Sequence, residues 1–222
     1  YAVLRTATMT GDATKDLDNG GLALAANLVQ ALTSNGFTVG SDVRVNESAG
    51  DYAWVAFKAA AGEMKVDKYV GSGSATQSVP GVGFQPDYLI VMPEVGAGAG
   101  VPVSAASTFP ADTSFDFDAT QAGPDCIRSL DPDGFQVGDG TGAANCGSLT
   151  TGSATFHYVA WNAAPGRVTV GTYTGDGTAT RNVDLAGFFP EWVIVKKYPD
   201  GSTQRPAMHK PASTGVSTDL GL

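Results

Sequence analysis

A block of this chain is written twice at a constant offset. Tyr69, Gly71, Gly73 and Thr76, then Gly83, Phe84, Pro86, Ile90 and Val91, return as Tyr173, Gly175, Gly177 and Thr180, then Gly187, Phe188, Pro190, Ile194 and Val195. The offset is 104 at both ends (173 − 69 and 195 − 91). Self-similarity at a fixed period sets the architecture before any local pattern does. Duplicated modules also bind or build more often than they catalyse, so a non-enzymatic protein is expected.

A second element precedes this block, which we term block A. Block B runs through Gly36-Phe37-Thr38-Val39-Gly40 and Tyr52-Ala53-Trp54-Val55-Ala56-Phe57. It returns as Gly134-Phe135-Gln136-Val137-Gly138 and Phe156-His157-Tyr158-Val159-Ala160-Trp161. Its offset is 98 early (134 − 36) and 104 late (166 − 62), so the second copy carries a six-residue insertion between Val137 and Phe156. Cys146 lies in that insertion, and the other cysteine, Cys126, lies in the same repeat. A disulfide between them is expected, tying the insertion down in an oxidising compartment.

The order is therefore B-A-B-A. Residues 1–66 read as the second part of a first repeat and 67–166 as a second repeat. Residues 167–222 read as the A block of a further one. Ala2 and Arg5 resemble Ala207 and Lys210 at an offset of 205, which brings the end of the chain back to the strand with which it begins. The first B lacks a preceding A, and the last A lacks a following B. Proteins rarely leave strand edges unpaired. The last A closes onto 1–66 of its own chain or onto a neighbouring subunit head to tail, or a longer array supplies the missing parts. The chain opens on Tyr1 with no charged and apolar leader, so a processed chain or an excised piece is expected.

Local patterns read as β. Tyr52 to Lys58 and Phe156 to Asn162 are apolar on both alternating sets, as in strands buried on both faces. This assigns Trp54 and Trp161 to the core. Thr113 to Asp118 alternates and reads as a half-exposed strand. Asn35-Gly36 and Asp133-Gly134 mark hairpin turns. Pro86 and Pro190 sit at strand starts, where a donor is dispensable. Gly71-Ser72-Gly73 reads as the turn between two antiparallel strands. Leu22 to Leu32 has helix-friendly composition and is read as strand or a short helical turn. The fold class expected is all-β, with two similar antiparallel, jelly-roll-like β-sandwich modules.

Composition narrows the partners. Thirteen Lys and Arg face 22 Asp and Glu, a net charge of −9, so nothing here would displace counterions from phosphate. Nucleic acid is not an expected partner, and no run reaches the ~20 apolar residues of a membrane span.

The patterns Tyr-x-Gly-x-Gly, Gly-Phe-x-Pro-Asp-x-x-Ile-Val, Gly-Phe-x-Val-Gly and Tyr-x-Trp-Val-Ala-Phe carry a resemblance. They sit at Tyr69, Gly71, Gly73, Gly83, Phe84, Pro86, Asp87, Gly36, Phe37, Val39, Tyr52, Trp54 and Phe57 and at their second copies. In these the chain resembles repeat modules of large secreted bacterial and archaeal surface proteins and of phage tail-associated proteins. The resemblance implies lectin-like, jelly-roll-type sandwiches and no catalytic residues. The second copy departs from it with Glu191 for Asp87 and Trp192 for Tyr88.

Candidate chemistry is sparse. His157 and His209 are the only histidines, and no nucleophile elbow accompanies them. His157 is read as a partly buried or surface polar residue, and Asp12 and Asp16 as turn and surface residues. Asp131 and Asp133 supply oxygen ligands suited to Ca²⁺, but Asp-Pro-Asp-Gly is a turn sequence first. Trp192 is the aromatic best placed to stack on a sugar ring, and Asn46-Glu47-Ser48 is a glycosylation sequon. No cofactor is expected. The reading is a non-catalytic structural subunit of an extracellular filament, sheath or surface assembly, joined to copies of itself by β-strand complementation. The alternative is a glycan- or receptor-binding module of a phage tail or cell-surface adhesin, on a virion or cell surface.

Overall fold

The computed structural model describes residues 2–17, 23–94, 103–117, 125–138, 154–185, 187–197, 207–212 and 220–221. Its elements run β1 (Val3–Leu4), β2 (Lys15–Asp16), β3 (Val29–Thr33), β4 (Gly36–Val39), α1 (Val43–Asn46), β5 (Met64–Val70), β6 (Thr76–Pro80), β7 (Tyr88–Pro93), β8 (Val103–Ala106), β9 (Phe115–Asp116), β10 (Ile127–Asp131), β11 (Gly134–Gly138), β12 (Thr155–Trp161), β13 (Trp192–Val195), β14 (Met208–Pro211) and β15 (Leu220–Gly221). The protein is all-β, and every strand pairing among the described residues is antiparallel.

One sandwich is closed, and it lies in the middle of the chain. A five-stranded sheet of order β5-β12-β7-β8-β9 faces a three-stranded sheet of order β10-β11-β6. Period-2 alternation decides which side chains meet between them. Leu89 and Val91 of β7, and Phe156, Tyr158 and Ala160 of β12, point inward to join Tyr69, Val79, Ile127, Phe135 and Val137 in one buried cluster. Tyr69 stacks on Phe156 at 5.1 Å, and Phe135 meets Tyr158 edge-on at 5.1 Å. Ile90, Met92, Val159 and Trp161 point to the opposite face of the large sheet. There they are covered by Leu4, Met9 and Leu17 from the start of the chain and by Val168, Ile194 and Ala207 from its end. That second layer is why β12 is buried on both faces, as its apolar pattern requires.

Several local readings need correction. Gly71 to Gly73 does not turn a hairpin: β5 lies in the large sheet and β6 in the small one, so this segment is a corner between layers. The stretch 113–118 is not the half-exposed strand expected; Asp118 lies outside the described residues, and Thr113 alone of 113–117 is partly exposed. Ser114, Phe115, Asp116 and Phe117 are buried, because β9 edges a sheet covered on both sides. Within the stretch 22–32, the described residues 23–28 form no helix, and strand β3 begins at Val29. Asp16 is buried and accepts a hydrogen bond from the Arg44 guanidinium at 2.8 Å. Asp42 accepts at 2.9 Å from the amide of Arg44, which opens the single turn of α1.

The expectation of two sandwiches meets a different outcome outside 64–161. Hairpin β3–β4 stands as a separate two-stranded sheet, as does β1–β2, while β13–β14–β15 forms a third small sheet. Tyr52 to Lys58, read above as a doubly buried strand, is exposed and forms no strand, with no ladder partner among the described residues.

Candidate assembly interface

Two of the separate small sheets repeat pairings seen in the closed sandwich. In β10–β11, Ile127 pairs with Val137, the register slips, and Ser129, Leu130 and Asp131 pair with Gln136, Phe135 and Gly134. In β3–β4, Val29 pairs with Val39, the register slips at the same place, and Ala31, Leu32 and Thr33 pair with Thr38, Phe37 and Gly36. Even the backbone approach behind the slip recurs. Asp125 and Asn27 both have a positive φ, and their carbonyls sit where a Cβ on Gly138 or Gly40 would have to go. Likewise, β13 pairs with β14 as β7 pairs with β8: Val195 with Met208 as Val91 with Val103, and Trp192 with Pro211 as Tyr88 with Ala106. Block A glycines recur with matching left-handed φ, 72° at both Gly73 and Gly177.

What differs is burial. Tyr158 is 2% exposed and its copy Trp54 65% exposed; Phe135 is 0% and its copy Phe37 37%. Tyr69 is 8% exposed and its copy Tyr173 50%. Val183, Tyr52 and Val39 are likewise exposed where Val79, Phe156 and Val137 are buried. Trp54 is thus not a core residue here, whereas Trp161 is. The cause is topological. In the closed sandwich β12 lies between β5 and β7, and β11 lies between β10 and β6. The matching strands, 52–58 and β4, have no such neighbours beyond β3, and 168–185 forms no strand. The residues that match the closed core therefore do not enclose one another among the described residues. Phe57 lies 5.3 Å from Trp192 and 5.7 Å from Trp161.

The candidates named from sequence take structural places. Asp133 accepts from the amides of Gly83 at 2.7 Å and Gly81 at 3.3 Å, fastening block A to the block B turn. Asp131 accepts from the Ser129 hydroxyl at 2.7 Å. Among the described residues, no group of three His, Cys, Asp or Glu is placed to hold a metal ion. Trp192 is half-buried and donates its indole N–H to His209 Nδ1 at 3.2 Å. The Asn46 side-chain amide donates to the Gly40 carbonyl at 2.8 Å, holding the end of α1 to the loop after β4. Cys126 is fully buried and disulfide-bonded, while Cys146 lies outside the described residues.

Sequence reasoning missed one site. His157 is fully buried rather than partly exposed. Its Nε2 meets Glu94 Oε1 at 2.8 Å, and its Nδ1 meets Thr8 Oγ1 at 2.7 Å, with Thr6 Oγ1 2.9 Å beyond. A carboxylate only accepts, so Nε2 carries the hydrogen and Nδ1 accepts from Thr8. Burial lowers the imidazole pKa more than the Glu94 hydrogen bond raises it. The hydroxyl–imidazole–carboxylate order is that of a nucleophilic triad, but here it pins the N-terminal segment to the back of β12. The separation of 149 positions between Thr8 and His157 hid it from any local pattern.

Comparison with known proteins finds no matching family model, no matching curated protein and no matching solved structure.

Proposed function

We propose that this chain is a non-catalytic structural subunit of an extracellular filament, sheath or surface assembly, polymerising head to tail by β-strand complementation. One observation carries the reading: the copies of six core residues are exposed on two half-modules of matching register that lie open in the same molecule. Extended, apolar, unpaired strands are templates for pairing with another chain. Each buried aromatic or β-branched side chain would contribute about 1.5–3 kcal/mol. A heterologous contact of this kind does not close on itself and so propagates. The net charge of −9 keeps a growing polymer soluble.

Light scattering across a concentration series, with negative-stain microscopy, tests this directly. Filaments or a mass that climbs with concentration are expected; a monomer at millimolar concentration sinks the reading.

A second reading, a glycan- or receptor-binding module, draws on the exposed Trp54 ring braced edge-on by Phe37 at 5.7 Å. Such a ring suits stacking on a sugar. A glycan array on the monomer, with Trp54→Ala as control, separates the two.

A further inference from the structure

The open half-modules specify how copies would join, and this inference rests on the assembly reading above. Three observations bear on it. First, Gly134 of β11 is a glycine because a Cβ there would collide with the Val79 carbonyl of β6. Its copy, Gly36 of β4, has no left-handed φ, and a Cβ built on it meets nothing nearer than the Thr33 hydroxyl at 3.9 Å. No other heavy atom of the described residues comes within 4 Å of that position, where the closed sandwich has a carbonyl. By the repeat, that carbonyl belongs to Val183. Second, hairpins β1–β2, β8–β9 and β14–β15 share one register: Val3 with Asp16, Val103 with Asp116, Met208 with Gly221. Two strands of the β7 type, β7 and β13, are available to flank them among the described residues. The chain therefore holds one more such hairpin than it can seat. Third, 52–58 and 169–185 lie in no ladder among the described residues although one chain tethers both.

We infer that the half-module 2–62 of one copy docks on residues 168–195 of a second copy in the register of the closed sandwich, and that β14–β15 is a self-cap displaced in the process. Gly36 then faces Asp184 and Phe37 faces Val183, as Gly134 faces Pro80 and Phe135 faces Val79. Strand 52–58 enters between 168–174 and β13, as β12 lies between β5 and β7. Val3 takes the place of Met208 beside Val195, as Val103 lies beside Val91. The capped molecule is a storage form, because β13 cannot accept β1 while β14 holds the same edge.

Paired cysteines in the full chain read this out. Under oxidation, V3C/V195C is expected to give a ladder of covalent multimers on denaturing gels. V195C/M208C, which locks the cap, is expected to stay monomeric until reductant is added. Gly36→Ala is expected to melt with the parent protein but to need at least about tenfold more protein to assemble, since a clash worth about 1.4 kcal/mol shifts an equilibrium that far. A V3C/V195C cross-link within monomers would overturn the inference, as would assembly by the locked V195C/M208C variant. Wild-type polymers in which V3C/V195C fails to link would overturn this register and leave strand complementation standing. A wild type that never polymerises would end both.

Discussion

At the residue scale, paired positions allow the same substitution to be made in two environments. Phe135 is enclosed by Tyr69 and Tyr158, so Phe135→Ala leaves a cavity and should cost about 3–5 kcal/mol. Phe37, in the same register but half open, touches Trp54, and its replacement should cost under about 1.5 kcal/mol in the monomer. Urea denaturation at low concentration measures both, and equal losses would mean that the second core is already closed. His157 gives a pH signature. Its folded pKa lies below the unfolded value of about 6.5. The unfolded chain therefore binds more protons below that pH, and stability present above it is lost as pH falls through the folded pKa. The melting temperature should drop between pH 7 and 5. His157→Ala, which restores the residue type of Ala53, should lose stability at pH 7 and flatten that slope.

Elements explain why identical patterns reach different fates. Tyr158 and Trp54 sit in strands that alternate in the same way, yet one is enclosed and the other open. The alternation was legible in sequence and made both strands look doubly buried. Enclosure depends on which strands lie beside them, and β5 and β7 pair with β12 across separations of 63 (156 − 93) to 97 (161 − 64) residues. Pro86, Pro190 and the Asn35-Gly36 and Asp133-Gly134 turns were readable because their cause is local. The Gly71 corner was misread because a layer change and a hairpin use the same glycines. Gly134→Ala tests the close contact of β11 with β6. It forces the Val79 carbonyl away and should cost about 2–4 kcal/mol, seen as an early chemical-denaturation midpoint.

On the scale of the whole molecule, the B-A-B-A order was visible as a fixed offset, and the hairpin registers follow it. The depth of the back layer was not visible. Asp16 read as a surface residue, yet it and its neighbour Lys15 are buried where the N-terminal segment covers the large sheet. Burial pushes the Lys15 ammonium down to about 8, outweighing the attraction of Asp16. Assembly has a spectroscopic consequence at this scale. Trp161 is already enclosed and Trp54 is not, so tryptophan emission should move to shorter wavelength as concentration rises. Trp54→Phe should remove most of that shift; a shift that persists in the variant would place joining elsewhere on the surface.

Both ends of the chain grip one face of the middle sandwich, Leu4 and Met9 from one side and Ile194 and Ala207 from the other. A pull transmitted along a fibre of such subunits would enter through one end and leave through the other. It would shear that common apolar seam before it strained the disulfide-tied core. The strength of the thread would then be set by the slip of a greasy joint, with the central sandwich of each link kept intact to seat it again.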